Sequence, residues 1–184
     1  MPVQAKESHA STGDHCQTLQ LSWGHGAHPG PREHLRQIVQ AGLQAPSAAN
    51  TQTTAYVIVD DPQVLAGLAA IVPNSDPLRT APAVLVVLVD RHDPQSERAD
   101  FGPVNYGASV ENALLAATGL GYATLWMEGW KRGEGAVAAV AQLLGIPDEL
   151  VPTVLIPLGR AAVPGSPREK RPFEERAWWN WYGE

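Results

Sequence analysis

Residues 45–52, APSAANTQ, set a serine, an asparagine, a threonine and a glutamine among alanines, between a helix-like segment and a β-branched run. Neutral amides and hydroxyls supply hydrogen-bond donors and acceptors without charge. Small side chains such as Ala45, Ala48 and Ala49 permit the close approach of a flat group. Ser47, Asn50 and Gln52 are therefore candidate hydrogen-bonding groups for a ligand. The alternative for Ser47 and Asn50 is a helix end and turn, because asparagine tolerates left-handed backbone.

The rest of the chain offers little chemistry of its own. It has no strand-to-helix G-x-G-x-x-G, no Walker loop, no G-x-S-x-G elbow and no H-E-x-x-H. The GLGYAT stretch at 119–124 follows a helix-like segment and reads as a helix stop. His9, His15, His25, His28 and His34 lie near Cys16, but their spacing matches no tetrahedral ligand pattern, and they read as a solvated tail. His92 falls in a polar loop. Without a nucleophile, a metal cluster or an acid/base pair, an enzyme built on this chain would rely on an organic cofactor, with the protein supplying binding and orientation.

Composition narrows the class. The chain has 184 residues, 44% hydrophobic, with a formal charge of −6, which suits one domain with a substantial core and argues against a nucleic-acid surface. Cys16 is the single cysteine, so no internal disulfide forms, and a reducing, cytoplasmic setting is expected. The longest apolar run, APAVLVVLV at 81–89, is far short of a bilayer span. Residues 1–29 lack aliphatic periodicity and a secretory pattern, and are expected to be poorly ordered.

From residue 30 the periodicities predict helices over 31–45, 62–72, 106–121 and 133–145, and strands over 55–60, 83–90, 122–127 and 151–160, with loop over 91–105. Helices and strands mix without strict alternation. This favours an α+β sandwich around one sheet over a doubly wound fold.

Four segments in register then resemble the nitroreductase family: APSAANTQ; NYGASVENALLAATGLGYATLWMEGW at 105–130; LLGIPDELVPTVLIPLGRAA at 143–162; and PREKRPFEERAWWNWYG at 167–183. The resemblance spans 31–184. It implies an α/β sandwich with a central mixed sheet flanked by helices, in an intertwined homodimer that binds FMN and uses NAD(P)H. It places Pro46, Ser47, Asn50 and Gln52 against the flavin, Glu128 and Gly129 beside its N5 edge, and Arg168, Lys170 and Arg171 at its phosphate. No catalytic side chain is implied. A C-terminal arm from about 163 would reach onto the partner subunit and bury Trp178, Trp179, Trp181 and Tyr182. Trp126 and Trp130 bracket the MEG turn and belong either to the substrate pocket or to the core.

The implied reaction is ping-pong hydride transfer from NAD(P)H to a small-molecule acceptor such as a nitroaromatic or quinone, with no nucleic acid and no membrane involved. The family's R-R-S-x-R-like start is replaced here by SWGHGAHPGPREHL, and only Arg32 and Arg36, on the helix itself, lie near. A same-fold homologue with weak or no flavin binding, and a flavin-dependent biosynthetic dehydrogenase subunit, are the alternatives.

Overall fold

The computed structural model describes residues 29–72, 75–92, 101–161 and 169–183. The expectation for residues 1–28 lies outside them, as does Arg168. Among the described residues one four-stranded sheet, ordered β1-β2-β4-β3, separates two layers of helix. Its strands are β1 (Thr54–Val59), β2 (Ala83–Asp90), β3 (Ala123–Thr124) and β4 (Leu150–Gly159).

The unbroken apolar run of β2 reflects burial on both faces. Val84, Val86 and Leu88 face a cluster with Val59, Leu68, Val140 and Leu155. Ala83, Leu85 and Val87 face a second cluster with Leu35, Ile38, Val110, Leu114 and Ile156. A period of two puts alternate residues on opposite faces, so a strand between two helical layers must be apolar throughout. The first face is covered by α2 (Pro62–Ile71), α3 (Asp76–Thr80) and α5 (Ala136–Leu144). The second is covered by α1 (Arg32–Leu43) and α4 (Gly102–Gly119).

The α+β sandwich is as expected, but every strand pairing among the described residues is antiparallel, where a mixed sheet was expected. The strand expected over 122–127 shrinks to Ala123–Thr124, with one further bridge between Met127 and Leu155. Proline is the cause. Leu125 N–H donates to Pro157 O at 3.2 Å, and Pro157 has no N–H to return to Leu125, so the ladder breaks there. Pro157 is tolerated in β4 because its missing donor faces β3 and leaves the pairing with β2 intact.

Two further differences bear on the site. Helix α3 was not anticipated; the Ser75 side chain caps it, accepting from Leu78 N–H at 3.4 Å. Helix α4 begins at Gly102, four residues before the expected start at 106, because Pro103 occupies its first turn, where a missing N–H costs nothing. Asn105 therefore belongs to the helix. Among the described residues, no helix is long and apolar enough to cross a membrane.

Candidate functional site

Helix α1 ends against α4 at Gly42. A Cβ there would come within 2.6 Å of the Tyr56 hydroxyl and 3.1 Å of Ser109 O, so only glycine permits this approach. Beyond it the chain enters 44–53 and forms a cleft of about 270 Å³, lined by residues that include Gln40, Pro46, Ser47, Gln52, Asn105 and Ser109. Among the described residues, the cleft lining carries no charged side chain. It also sits at the C-terminal, partially negative end of α1, which favours neutral groups over an anion.

The backbone answers how this segment turns without glycine. Ala49, Asn50 and Gln52 all have left-handed φ, at 49°, 58° and 52°. Left-handed geometry costs an L-residue about 1–2 kcal/mol, and such residues persist only where the surroundings over-determine them. Here the surroundings are hydrogen bonds. Ala48 N–H donates to Asn105 Oδ1 at 2.9 Å, Asn105 Nδ2 donates to Thr53 Oγ1 at 3.3 Å, and Gln52 N–H donates to Ser47 Oγ at 2.9 Å. Both ends of the buried Asn105 amide are spent on the loop.

Asn105 is the first of three polar residues on one stripe of α4. Ser109 donates to Gly42 O at 2.9 Å, and Asn112 Nδ2 donates to Ala41 O at 3.3 Å. The Ser109 proton is thereby used, so Tyr56, at 2.7 Å, donates to Ser109 Oγ. Burial raises the Tyr56 titration above its ordinary value. The sequence reading missed this stripe. Its signal was legible: Asn105, Ser109 and Asn112 stand at i, i+4 and i+7 in a segment otherwise rich in Ala and Leu.

The second segment is the turn after β3, where Gly129–Arg132 form a short 3-10 helix. The Glu128 carboxylate accepts from Lys131 Nζ at 2.7 Å, Tyr106 OH at 2.9 Å and Trp126 Nε1 at 3.4 Å. These contacts, Lys131 foremost, hold its titration below the ordinary value, against a smaller opposing effect of burial. Glu128 is therefore an ionised acceptor at neutral pH. Gly129 is exposed, and a Cβ placed on it would meet nothing within 4 Å.

The remaining expected residues lie apart. Lys170 and Arg171 are exposed in the C-terminal segment, where Arg171 pairs with Glu175 at 2.9 Å. Arg32 donates to Asp60 through two hydrogen bonds, at 2.7 and 2.9 Å, so it is committed at the far end of α1. Trp130 packs in the core and Trp126 is half-buried on Glu128. His34 is not in a solvated tail; it lies on α1, with Nδ1 2.9 Å from the Tyr122 hydroxyl. His92 caps the end of β2 through its N–H to Asp90. No group of potential metal ligands forms among the described residues.

Comparison with known proteins agrees with this architecture. The nitroreductase family model matches residues 72–160. A protein of Archaeoglobus fulgidus named for NADH dehydrogenase/NAD(P)H nitroreductase activity is 30% identical over 145 residues, covering 78% of each chain. A similarly named Parabacteroides distasonis structure superposes with a TM-score of 0.75 at 22% identity, covering 90% of this chain and 95% of the other. The NADPH:FMN oxidoreductase of Vibrio harveyi, solved with NAD+, gives a TM-score of 0.71 at 25% identity, covering 93% and 76%. By sequence and by fold, the chain belongs to the nitroreductase family and is an oxidoreductase.

Proposed function

We propose that the protein is an FMN-dependent NAD(P)H oxidoreductase that reduces nitroaromatic, quinone or similar conjugated acceptors in a ping-pong cycle. The observation that carries this reading is the 47–52 loop, three of whose non-glycine residues are held left-handed beside a neutral cleft by a buried asparagine. Backbone strain retained at a concave site fits a preorganised ligand contact better than a plain helix stop. Bound FMN would supply hydride transfer between NAD(P)H and the acceptor.

The residues fit the ring and ribityl portions of that cofactor. Ser47 accepts from Gln52 N–H, which leaves its own proton to donate to a ligand. The Asn50 and Gln52 side chains are exposed beside it and offer neutral amides. At the second segment, the open space over Gly129 admits a flat edge. Because the Glu128 carboxylate is turned into its three donors, its part is to hold the turn rather than to move a proton.

The phosphate finds no cation among the described residues of the cleft lining. In this reading Lys170 and Arg171, with Arg168, supply it from the C-terminal arm of a second copy. The exposed pair of Arg171 with Glu175 is weak enough to exchange for a phosphate. The arm supports a homodimer for a second reason. Phe173, Trp179, Trp181 and Tyr182 are between 59% and 87% exposed on one chain, which is too much aromatic surface for an isolated terminus.

An absorption spectrum of the purified protein, followed by NAD(P)H oxidation with a nitroaromatic or quinone, tests the reading. Flavin bands and acceptor-dependent turnover are expected. Colourless protein that neither quenches added FMN fluorescence nor oxidises NAD(P)H overturns it. The uncharged cleft would then favour a family scaffold that does not hold FMN.

A further inference from the structure

Two adjacent residues in the first turns of α4 grip two different backbone segments. Asn105 holds the 48–53 loop, and Tyr106 holds Glu128 at the head of the 128–132 turn. Successive helical residues project about 100° apart, so a single helical turn can address both segments at once and fix one against the other. We infer that Tyr106 is a positioning residue of this oxidoreductase, acting through Glu128 to set the main chain at Glu128–Gly129 relative to the Ser47–Gln52 loop.

Three features of the geometry carry this. First, Asn105 is 3% exposed and both ends of its amide are used, so the helix cannot shift without breaking the loop contacts. Second, the donors on Glu128 come from three places: Tyr106 on α4, Trp126 on the segment leaving β3, and Lys131 in the following 3-10 turn. Trp126 and Lys131 belong to the same stretch as Glu128 and move with it. Tyr106 alone of the three ties that stretch to α4. Third, Met127 is itself anchored to the sheet, exchanging two main-chain hydrogen bonds with Leu155 at 3.0 and 2.9 Å. The residue before Glu128 is fixed by β4 and its side chain by α4, while Gly129 sits between these anchors and open space. A main-chain N–H placed there is preorganised for an acceptor atom on a bound ligand.

The inference rests on the flavin reading above, and Tyr106→Phe tests it while keeping the ring in place. Three measurements are made on the intact protein. In the flavin-free form, hydrogen exchange at the Met127 amide, which donates to Leu155, is expected to quicken about fivefold, the ratio that one lost hydrogen bond would give. In the same form, the Glu128 titration followed by carbon NMR is expected to move up toward its ordinary value. In the flavin-loaded form, kcat and the midpoint potential of the bound flavin are expected to change, while KM for NAD(P)H stays within about threefold. Tyr56→Phe removes another tyrosine hydroxyl hydrogen bond to α4 and serves as the control; it should lower the melting temperature without moving the Met127 exchange or the Glu128 titration.

Two results overturn the inference while leaving the flavin reading intact. One is a Tyr106→Phe protein that binds FMN and matches the wild type in exchange, titration and potential. The other is a variant whose only change is a melting-temperature loss like that of Tyr56→Phe. Wild-type protein that binds no flavin overturns the flavin reading itself, and the positioning role falls with it.

Discussion

The 47–53 loop and the 126–131 turn are held by neighbouring residues of one helix, yet by opposite physics. The loop is neutral: a buried amide, a serine hydroxyl and a backbone forced into left-handed geometry keep its shape. The turn is ionic: a carboxylate gathers an ammonium, a phenol and an indole. A shape stored in backbone dihedrals and a buried neutral amide is insensitive to pH and salt. A shape stored around a partly exposed carboxylate is sensitive to both. The two segments should therefore fail under different conditions, and the contrast can be broken from either end.

The largest effect is expected from Asn105→Ala. The substitution strands the Ala48 N–H, takes the Nδ2 donor from Thr53 and opens a small cavity beside them. Losses of this kind cost about 2–4 kcal/mol together. Urea unfolding should show this loss with an unchanged m-value, equal at pH 5 and pH 8 and equal in low and high salt. A loss that grew or shrank with salt would mean that the loop is held by charge after all, and the contrast with the turn would collapse.

Glu128→Gln should have a smaller and conditional effect. Glu128 titrates below its ordinary value of 4.5 in the folded protein. Its ionised form thus contributes stability fully present above 4.5, and this contribution is lost as pH falls through the lower folded value. The carboxylate and ammonium side chains are 36% and 32% exposed, so solvent screening keeps the contribution below about 1 kcal/mol. Wild type and variant should differ most at neutral pH and low salt and converge in acid. A difference that persisted unchanged into strong acid would show that the glutamate holds the turn by shape rather than by charge.

The two segments also differed in how far sequence revealed them. The elements that position the site were legible because their signals are local: the period-two apolar run of β2 and the helical periodicity of α1 appear at almost the expected bounds. What escaped depends on partners distant in sequence. The break of β3 at Leu125 is caused by Pro157, on a strand some thirty residues later. The early start of α4 was hidden because Gly102 and Pro103 look like loop when a helix's first turn is not considered.

At the site, the amide-rich loop was recognisable from composition, but its three left-handed residues were not. Ala49 and Gln52 carry no local preference for that geometry, and the restraint imposed by Asn105 comes from 57 residues away along the chain. The Glu128–Lys131 pairing is a local i, i+3 contact, whereas Tyr106 reaches the same carboxylate only because of the tertiary fold.

The smallest effect, and the sharpest on the loop side, is expected from Ala49→Gly. Ala49 sits at φ 49°, ψ 24°, where glycine bears no Cβ penalty. Relief of about 1 kcal/mol in the folded state is opposed by the greater freedom of glycine in the unfolded chain, about 0.4–1 kcal/mol. Thermal melting should therefore shift by no more than about 1–2 °C, the equivalent of roughly 0.5 kcal/mol for a domain of this size. Hydrogen exchange over 48–52 should nevertheless quicken, since glycine widens the accessible dihedral range without removing either Asn105 contact. Turn-side exchange at Met127 should stay unchanged, because the hold on Glu128 does not pass through Ala49. Destabilisation well above 1 kcal/mol would instead assign the exposed Ala49 methyl a packing role, and the loop's shape would then owe less to backbone geometry than the dihedral angles imply.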